Sequence, residues 1–381
     1  MRTLALFFVA TLAMANAQDS ATVVPLGIPA VNSPTPTGPA QYCGFSQESA
    51  QQQQRLTGST RNTSVTLQRV ALDGTVTPLA NDHDAWNTLS EAFGEAFCSS
   101  TGNDAWFTTT DIRYSGHKSL WQLVDGVPLR TLKVGDHLFV SGLDFVYQDG
   151  VTVVSSLKNP TIYGKFQSRW GLRTLAFSMG QKPQLIVDYG NNPIFAACAT
   201  GDNLAAVVRF QTIFGAQSLV TRVGSDGLLW NLGTIPDLGN DGSQNTALRN
   251  LTYSLGCNAD TIGFMIRDGD SATAWTINDD QQKTVRVFSG NSAGEFPISN
   301  IWGLSVGADG SVSFAMDATI VTPTVYGWEA IFKTADGQAV PVAREGIDFP
   351  RVPVTSAQPV TVGSHLLVMQ NPTGGVYEVK Q

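Results

Sequence analysis

Trp328-Glu329-Ala330-Ile331-Phe332-Lys333-Thr334-Ala335-Asp336-Gly337-Gln338-Ala339-Val340-Pro341-Val342 reads as two β-strands joined at Asp336-Gly337. Asp-Gly suits the positive φ angles at the centre of a two-residue hairpin turn, and apolar residues flank it on both sides. Val70-Ala71-Leu72-Asp73-Gly74-Thr75-Val76 carries the same signature. Asp-Gly recurs at Asp125, Asp149, Asp226 and Asp309. Hairpin centres near Asp73, Asp125, Asp149, Lys182, Asp226, Asp280 and Asp336 have a mean spacing of (336 − 73)/6, about 44 residues.

A second recurrence sets the register. Cys98 is followed by Trp106-Phe107-Thr108, Cys198 by a polar turn and Leu204 to Val208, and Cys257 by a polar turn and Ile262 to Ile266. Gly307-Ala308-Asp309-Gly310 leads into Val312-Ser313-Phe314 in the same way, without a cysteine. Each unit reads as strand, tight turn, strand, longer loop, strand, Asp-Gly-type turn, strand. A four-stranded antiparallel unit repeating every 40–50 residues is expected to form an all-β propeller, in which each blade buries its faces on its neighbours. Residues 64–381 divide into seven such blades, with six as the next choice. A β-sandwich with unrelated strands is the alternative, and a parallel β-helix would need shorter repeats. The run from Ser64 to Val70 is expected to complete a shared blade with the C-terminal runs His365–Met369 and Val376–Val379, removing the open sheet edge. The spacing of Leu89, Phe93 and Phe97 is compatible with a short helix or an irregular strand.

Gly310-Ser311-Val312-Ser313-Phe314, then Asp336-Gly337, then Gly346 and Pro350, resembles the units of secreted β-propeller repeat proteins. Their pattern is G-x-V-x-F, D-G, G-x-x-x-P. Ser119-Leu120-Trp121…Asp125-Gly126 is similar to their L-W-x-x-D-G units, with Val127 where a threonine would stand. The resemblance implies the fold and carries no activity.

The N-terminus sets the compartment. Met1-Arg2, the apolar run Leu4–Met14 and Ala15-Asn16-Ala17 compose a secretory signal peptide over residues 1–17, with Gln18 the first mature residue. The apolar run is about half of what a bilayer requires. Residues 18–63, rich in Ser, Thr, Pro and Gln, read as an extended leader, and residues 64–381 as the propeller. Charged residues are only 14% of the 381, glycine is high at 37, and the net charge is -8. That balance fits an extracellular all-β protein and argues against nucleic acid, whose binding rests on Lys and Arg. Four cysteines in a secreted chain suggest two disulfides. The matching register of Cys198 and Cys257 favours pairing them, leaving Cys43 with Cys98. Asn62 and Asn250 stand in N-x-Ser/Thr sequons and are candidate glycan sites.

Chemistry is sparsely marked. His83, His117, His137 and His365 lie in no metal-binding spacing, and no G-x-S-x-G or phosphate-loop motif occurs. Asp188, Asp268, Asp270, Asp279 and Asp280 are the carboxylates at turns and strand ends, where Asp ordinarily shapes the turn. Asp268-Gly269-Asp270 and Asn278-Asp279-Asp280 offer oxygen ligands for calcium but lack the calcium-loop pattern. Trp86, Trp106, Trp121, Trp170, Trp230, Trp275, Trp302 and Trp328 are either wedge fillers between blades or stacking platforms, and packing is the stronger expectation. The sequence therefore reads as a secreted, non-enzymatic surface or matrix interaction protein. Its partner would be an extracellular protein or glycan, with no cofactor, metal or membrane span. A lectin or glycosidase using the central face is the alternative.

Overall fold

The structure is a computed structural model. It describes residues 21–46, 65–82, 84, 91–99, 104–111, 117–154, 160–179, 182–200, 203–212, 215–223, 229–234, 251–258, 261–278, 283–318, 328–352, 356–371 and 374–380. Residues 1–17, Gln18, His83, Trp86, Leu89, Asp279, Asp280 and both sequons, Asn62 and Asn250, lie outside the described residues.

Among the described residues the chain is all-β, and seven antiparallel sheets form the blades of a β-propeller. Blade I comprises Asn32–Gly38, Gln41–Phe45, Thr66–Ala71 and Val76–Asn81, and blade II Ala92–Cys98, Ala105–Asp111, His117–Val124 and Val127–Leu132. Blade III comprises Leu143–Val154, Thr161–Ser168, Gly171–Met179 and Pro183–Asp188, with His137–Val140 added as a fifth strand. Blade IV comprises Ile194–Thr200, Asn203–Thr212, Gly215–Val223 and Leu229–Thr234, and blade V Leu251–Cys257, Thr261–Asp268, Ser271–Asn278 and Lys283–Gly290. Blade VI comprises Ile301–Val306, Val312–Ala318, Trp328–Ala335 and Gln338–Arg344. Blade VII takes Ser356–Val362, His365–Asn371 and Gly375–Lys380 from the C-terminus and Thr22–Pro29 from the N-terminus.

Burial explains which strand sits where. Second strands are covered on both faces by neighbouring blades, so Val312-Ser313-Phe314-Ala315-Met316 is buried throughout and carries no charge. Fourth strands lie at the rim and alternate, as Val127–Leu132 does. Seven hydrophobic clusters fill the seven seams, one for each pair of adjacent blades. Phe314 and Phe332 of blade VI meet Phe288 of blade V, and Phe45 of blade I meets Phe107 and Trp121 of blade II. First strands touch one another around the ring, which closes between blades VII and I.

Closure differs from the sequence expectation. Thr22–Pro29, inside the supposed leader, pairs with Gly375–Lys380, with Thr22 opposite Lys380 and Pro29 opposite Gly375. The run Thr66–Ala71 instead lies inside blade I, between Gln41–Phe45 and Val76–Asn81. The Pro-rich segment Asn32–Gly38 forms the inner edge of blade I, where prolines cost no ladder hydrogen bond on the open side. Phe93 and Phe97 belong to strand Ala92–Cys98 and not to a helix. Asp149-Gly150 is no hairpin. It lies within the long strand Leu143–Val154, where the register shifts on either side of Asp149.

Asp125-Gly126 and Asp336-Gly337 are hairpin turns, with φ of +49° and +79° in the first and +51° and +79° in the second. Two disulfides cross seams: Cys43–Cys98 joins blades I and II with Cα atoms 6.1 Å apart, and Cys198–Cys257 joins blades IV and V at 5.7 Å. Among the described residues no helix is long and apolar enough to cross a membrane.

Candidate functional site at the seam of blades VI and VII

One face of the ring carries the starts of the first and third strands and the ends of the second and fourth. At blade VI this face gathers three carboxylates. Asp317 ends the second strand and lies opposite Glu329, which begins the third. Glu345 follows the fourth strand, and its N–H donates to the Glu329 carbonyl at 2.9 Å. The Glu329 N–H in turn donates to Glu345 Oε2 at 3.2 Å. The Glu329 carboxylate reaches across the seam and accepts the N–H of Ala357, in the first strand of blade VII. Glu345 is only 5% exposed.

No cation pairs with these three side chains among the described residues. Arg344, their neighbour in the chain, turns to Asp348 at 3.1 Å. Burial pushes the Glu329 carboxyl up, the Ala357 N–H opposes this, and Glu345 and Asp317 push it further, to about 7. The group thus exchanges its proton at neutral pH, as a general acid or base must. Blade II shows the contrast. Glu91 is 2% exposed, accepts from the Thr109 hydroxyl and has Arg130 at 3.9 Å, while Thr109 Oγ1 also accepts the Trp121 Nε1–H at 2.7 Å. That network is neutralised by a cation; the blade VI group is hydrogen-bonded but has no cation partner among the described residues.

The site extends along the same face. Asn300 Nδ2–H donates to Asp317 Oδ2 at 3.3 Å, and Arg267 of blade V donates to Asn300 Oδ1 at 3.2 Å. On the other side Gln370 of blade VII, 1% exposed, donates to the Pro350 carbonyl at 2.7 Å, while its Oε1 has no hydrogen-bond partner among the described residues. Gln370 lies opposite Ala357 and so presents its side chain on the same face, towards blade VI.

The residues marked in the sequence do not assemble into a site. Asp188 pairs with Arg173 at 2.6 Å and accepts the Gly190 N–H at 2.8 Å, a turn-shaping role. Asp270 is exposed at a turn, Asp268 ends a strand, and Asp279 and Asp280 lie outside the described residues. His137 pairs with Asp144 at 2.9 Å and His365 with Glu378 at 2.6 Å, on different blades, and His117 begins the third strand of blade II. Among the described residues no group of His, Cys, Asp and Glu is arranged to hold a metal ion. Trp106, Trp121 and Trp275 are buried between blades as wedge fillers, whereas Trp170 is 51% exposed. Asp317, Glu329 and Glu345 stand at no Asp-Gly turn and in no motif spacing. The available signal was a glutamate inside an otherwise apolar strand, Trp328-Glu329-Ala330-Ile331-Phe332.

No family model and no curated protein matches the sequence. Solved structures do. An oligogalacturonate lyase from Vibrio parahaemolyticus superimposes with a TM-score of 0.51 at 8% identity, covering 94% of this chain and 93% of that one. The β-propeller domain of the Trilobed protease from Pyrococcus furiosus gives 0.50 at 9%, covering 92% and 95%. An acylaminoacyl peptidase from Pyrococcus horikoshii gives 0.51 at 9%, covering 93% of this chain and 52% of that one. At such identities the likeness shows the propeller fold. It also corrects the expectation of a non-enzymatic surface or matrix module, since the propellers it resembles belong to enzymes. The Trilobed protease propeller has an open velcro topology; here Thr22–Pro29 closes blade VII.

Proposed function

We propose that this chain is a secreted enzyme that acts on saccharides by proton transfer at the seam of blades VI and VII, with Glu329 as the group that gives and takes the proton. The observation that carries the reading is the placement of Glu329 against Glu345 and Asp317 with no cation among the described residues to neutralise them. A carboxylate held this way keeps its proton until about neutral pH, the arrangement that suits general acid–base cleavage. Arg267, Asn300 and Gln370 supply polar groups on either side for a hydroxyl-rich substrate. The saccharide class takes support from the oligogalacturonate lyase among the similar structures.

Secretion rests on the basic start, the apolar run and Ala15-Asn16-Ala17, and on two disulfides, which persist in oxidising compartments. In a eukaryotic host Asn62 and Asn250 would then carry glycans, read as a mass loss on enzymatic deglycosylation.

The test is reducing-end release from a panel of neutral and acidic polysaccharides by the secreted protein and by Glu329→Gln. Turnover of at least one polymer, lowered on the order of 10²-fold or more in the variant, is the expected result. Full activity in Glu329→Gln, or no turnover of any polymer by folded protein, overturns the reading.

A further inference from the structure

The first strand of blade VII, Ser356–Val362, is an edge strand, pairing with His365–Asn371 on one side only. The backbone groups on its open side need other partners. Blade VI supplies them as side chains. At Thr361 the N–H donates to Ser305 Oγ at 2.8 Å, and the Ser305 hydroxyl donates to Thr361 Oγ1 at 2.7 Å. At Ala357 the carbonyl accepts the Trp302 Nε1–H at 2.8 Å, and the N–H donates to the Glu329 carboxylate. A single residue of blade VII is thus held at both of its polar groups, by an indole and by Glu329.

Trp302 reaches that carbonyl because the first strand of blade VI is irregular. Trp302 lies opposite Ala315, and the register then shifts before Ser305 meets Ser313. Gly303 stands inside the shift at φ +60°, and a Cβ there would come within 2.9 Å of Gln358 Cβ. Glycine at this point lets the two first strands close up beside Ala357. The indole also packs in the hydrophobic cluster of this seam with Ala315, Ala357 and Val368, so packing holds the ring as well as the bond.

The electrostatic surroundings give this tie its consequence. Asp317 and Glu345 press on Glu329 from its own blade, Arg344 is turned to Asp348, and Arg351 is exposed. Neither first strand, Ile301–Val306 nor Ser356–Val362, carries a titratable side chain. Against burial and like charge, the Ala357 N–H is the group that favours the charged form of Glu329. A donor helps a carboxylate only while it is well aimed. We propose that Trp302 is a positioning residue for Glu329: by holding the Ala357 carbonyl it keeps the Ala357 N–H on the carboxylate, and so governs how readily Glu329 releases its proton.

The proposal rests on the reading of Glu329 as the proton-exchanging group, but its test needs no substrate. Wild type, Trp302→Phe and Ser305→Ala are each melted from about pH 4 to about pH 9 beside the same protein carrying Glu329→Gln. Within each pair the gap in Tm widens with pH from the ordinary glutamate range, and stops widening where the folded protein has released the Glu329 proton, at about 7 in the wild type. That end point is the readout. Trp302→Phe keeps a ring in the seam and removes the N–H donor. Ser305→Ala loosens the same seam at Thr361 and leaves Ala357 tied. The expected result is an end point moved up by roughly half a pH unit in Trp302→Phe, as Glu329 loses its aimed donor, and unmoved in Ser305→Ala. An end point unmoved in Trp302→Phe, or moved alike in both variants, overturns the proposal. A gap that ignores pH in the wild type overturns it together with the reading of Glu329. The expected shift in a protein that turns over no polysaccharide sustains it while the saccharide reading fails.

Discussion

Replacing Glu329 by glutamine separates the cost of its burial from its chemistry. In the folded protein the Glu329 carboxyl holds its proton to about 7, against 4.5 for an ordinary glutamate. Between those values the native state binds a proton that the unfolded chain has released, so stability falls as pH rises through that window and the full penalty stands above 7. The shift of 2.5 units corresponds to about 3 kcal/mol at most. Glu329 is only half-buried, and solvent screening brings the figure down to about 1–2 kcal/mol. Glutamine keeps an oxygen for the Ala357 N–H and carries no charge against Glu345 and Asp317. For a chain of this size the gain amounts to an increase in Tm of about 2 °C. Calorimetric melts without reductant, from about pH 4 to about pH 8, read the effect. The wild type and Glu329→Gln should melt together at the acid end, where both side chains are neutral, and the variant should melt higher at the alkaline end. A variant that melts lower near pH 8, or a gap that does not change with pH, would refute the account of Glu329 as a proton held by burial and like charge.

Three other outcomes are expected. Cys198→Ser with Cys257→Ser opens a loop closed across 59 residues and should cost about 4 kcal/mol in denaturant titration, as should the corresponding change at Cys43 and Cys98, which spans 55. Deleting residues up to Pro29 strips the fourth strand from blade VII, removes the acceptor of the Tyr42 hydroxyl bond at 2.8 Å and bares the edge of Gly375–Lys380; light scattering should show association that the full chain lacks. Burial alone would raise Asp309, but the Ser311 hydroxyl and N–H and the Lys333 ammonium outweigh it and hold the carboxyl at about 2, so its contribution is lost as pH falls from about 4 towards 2. Asp309→Asn should flatten that acid limb by less than about 1 kcal/mol, since half the side chain is in water.

The blade number was legible, although two misreadings cancelled. Asp149-Gly150 counts as a turn in the sequence but is a strand irregularity in blade III. Without it the hairpin centres from Asp73 to Asp336 fall at (336 − 73)/5, about 53 residues. That longer period would have given six blades over residues 64–381. The missing blade is supplied by residues 22–45, whose Ser, Thr and Pro content resembles a linker. Local composition failed there because these strands owe their order to distant partners: Thr22–Pro29 to the other end of the chain, and Asn32–Gly38 to Gln41–Phe45 and the disulfide at Cys43. Dipeptides that demand positive φ, such as Asp125-Gly126 and Asp336-Gly337, carry their conformation with them and were read correctly.

The candidate site was hidden for a related reason. Its charge pattern exists only once blades VI and VII stand side by side. Asp317, Glu329 and Glu345 are separated by 12 and 16 residues in the chain, at no spacing that marks a motif. The ladder makes neighbours of Asp317 and Glu329, and the bond from the Glu345 N–H to the Glu329 carbonyl brings Glu345 against the third strand. What a sequence can show is the anomaly each residue creates locally, a carboxylate in a strand whose neighbours are buried. Two such anomalies on adjacent strands of one repeat unit, without a lysine or arginine in register to answer them, mark a position where the fold tolerates an electrostatic cost. In blade II the same face answers Glu91 with Arg130 on the outer strand, and the cost disappears. Among the described residues no such cation answers the blade VI carboxylates, since Arg344 is drawn away by Asp348, and burial and like charge are left to raise the Glu329 carboxyl.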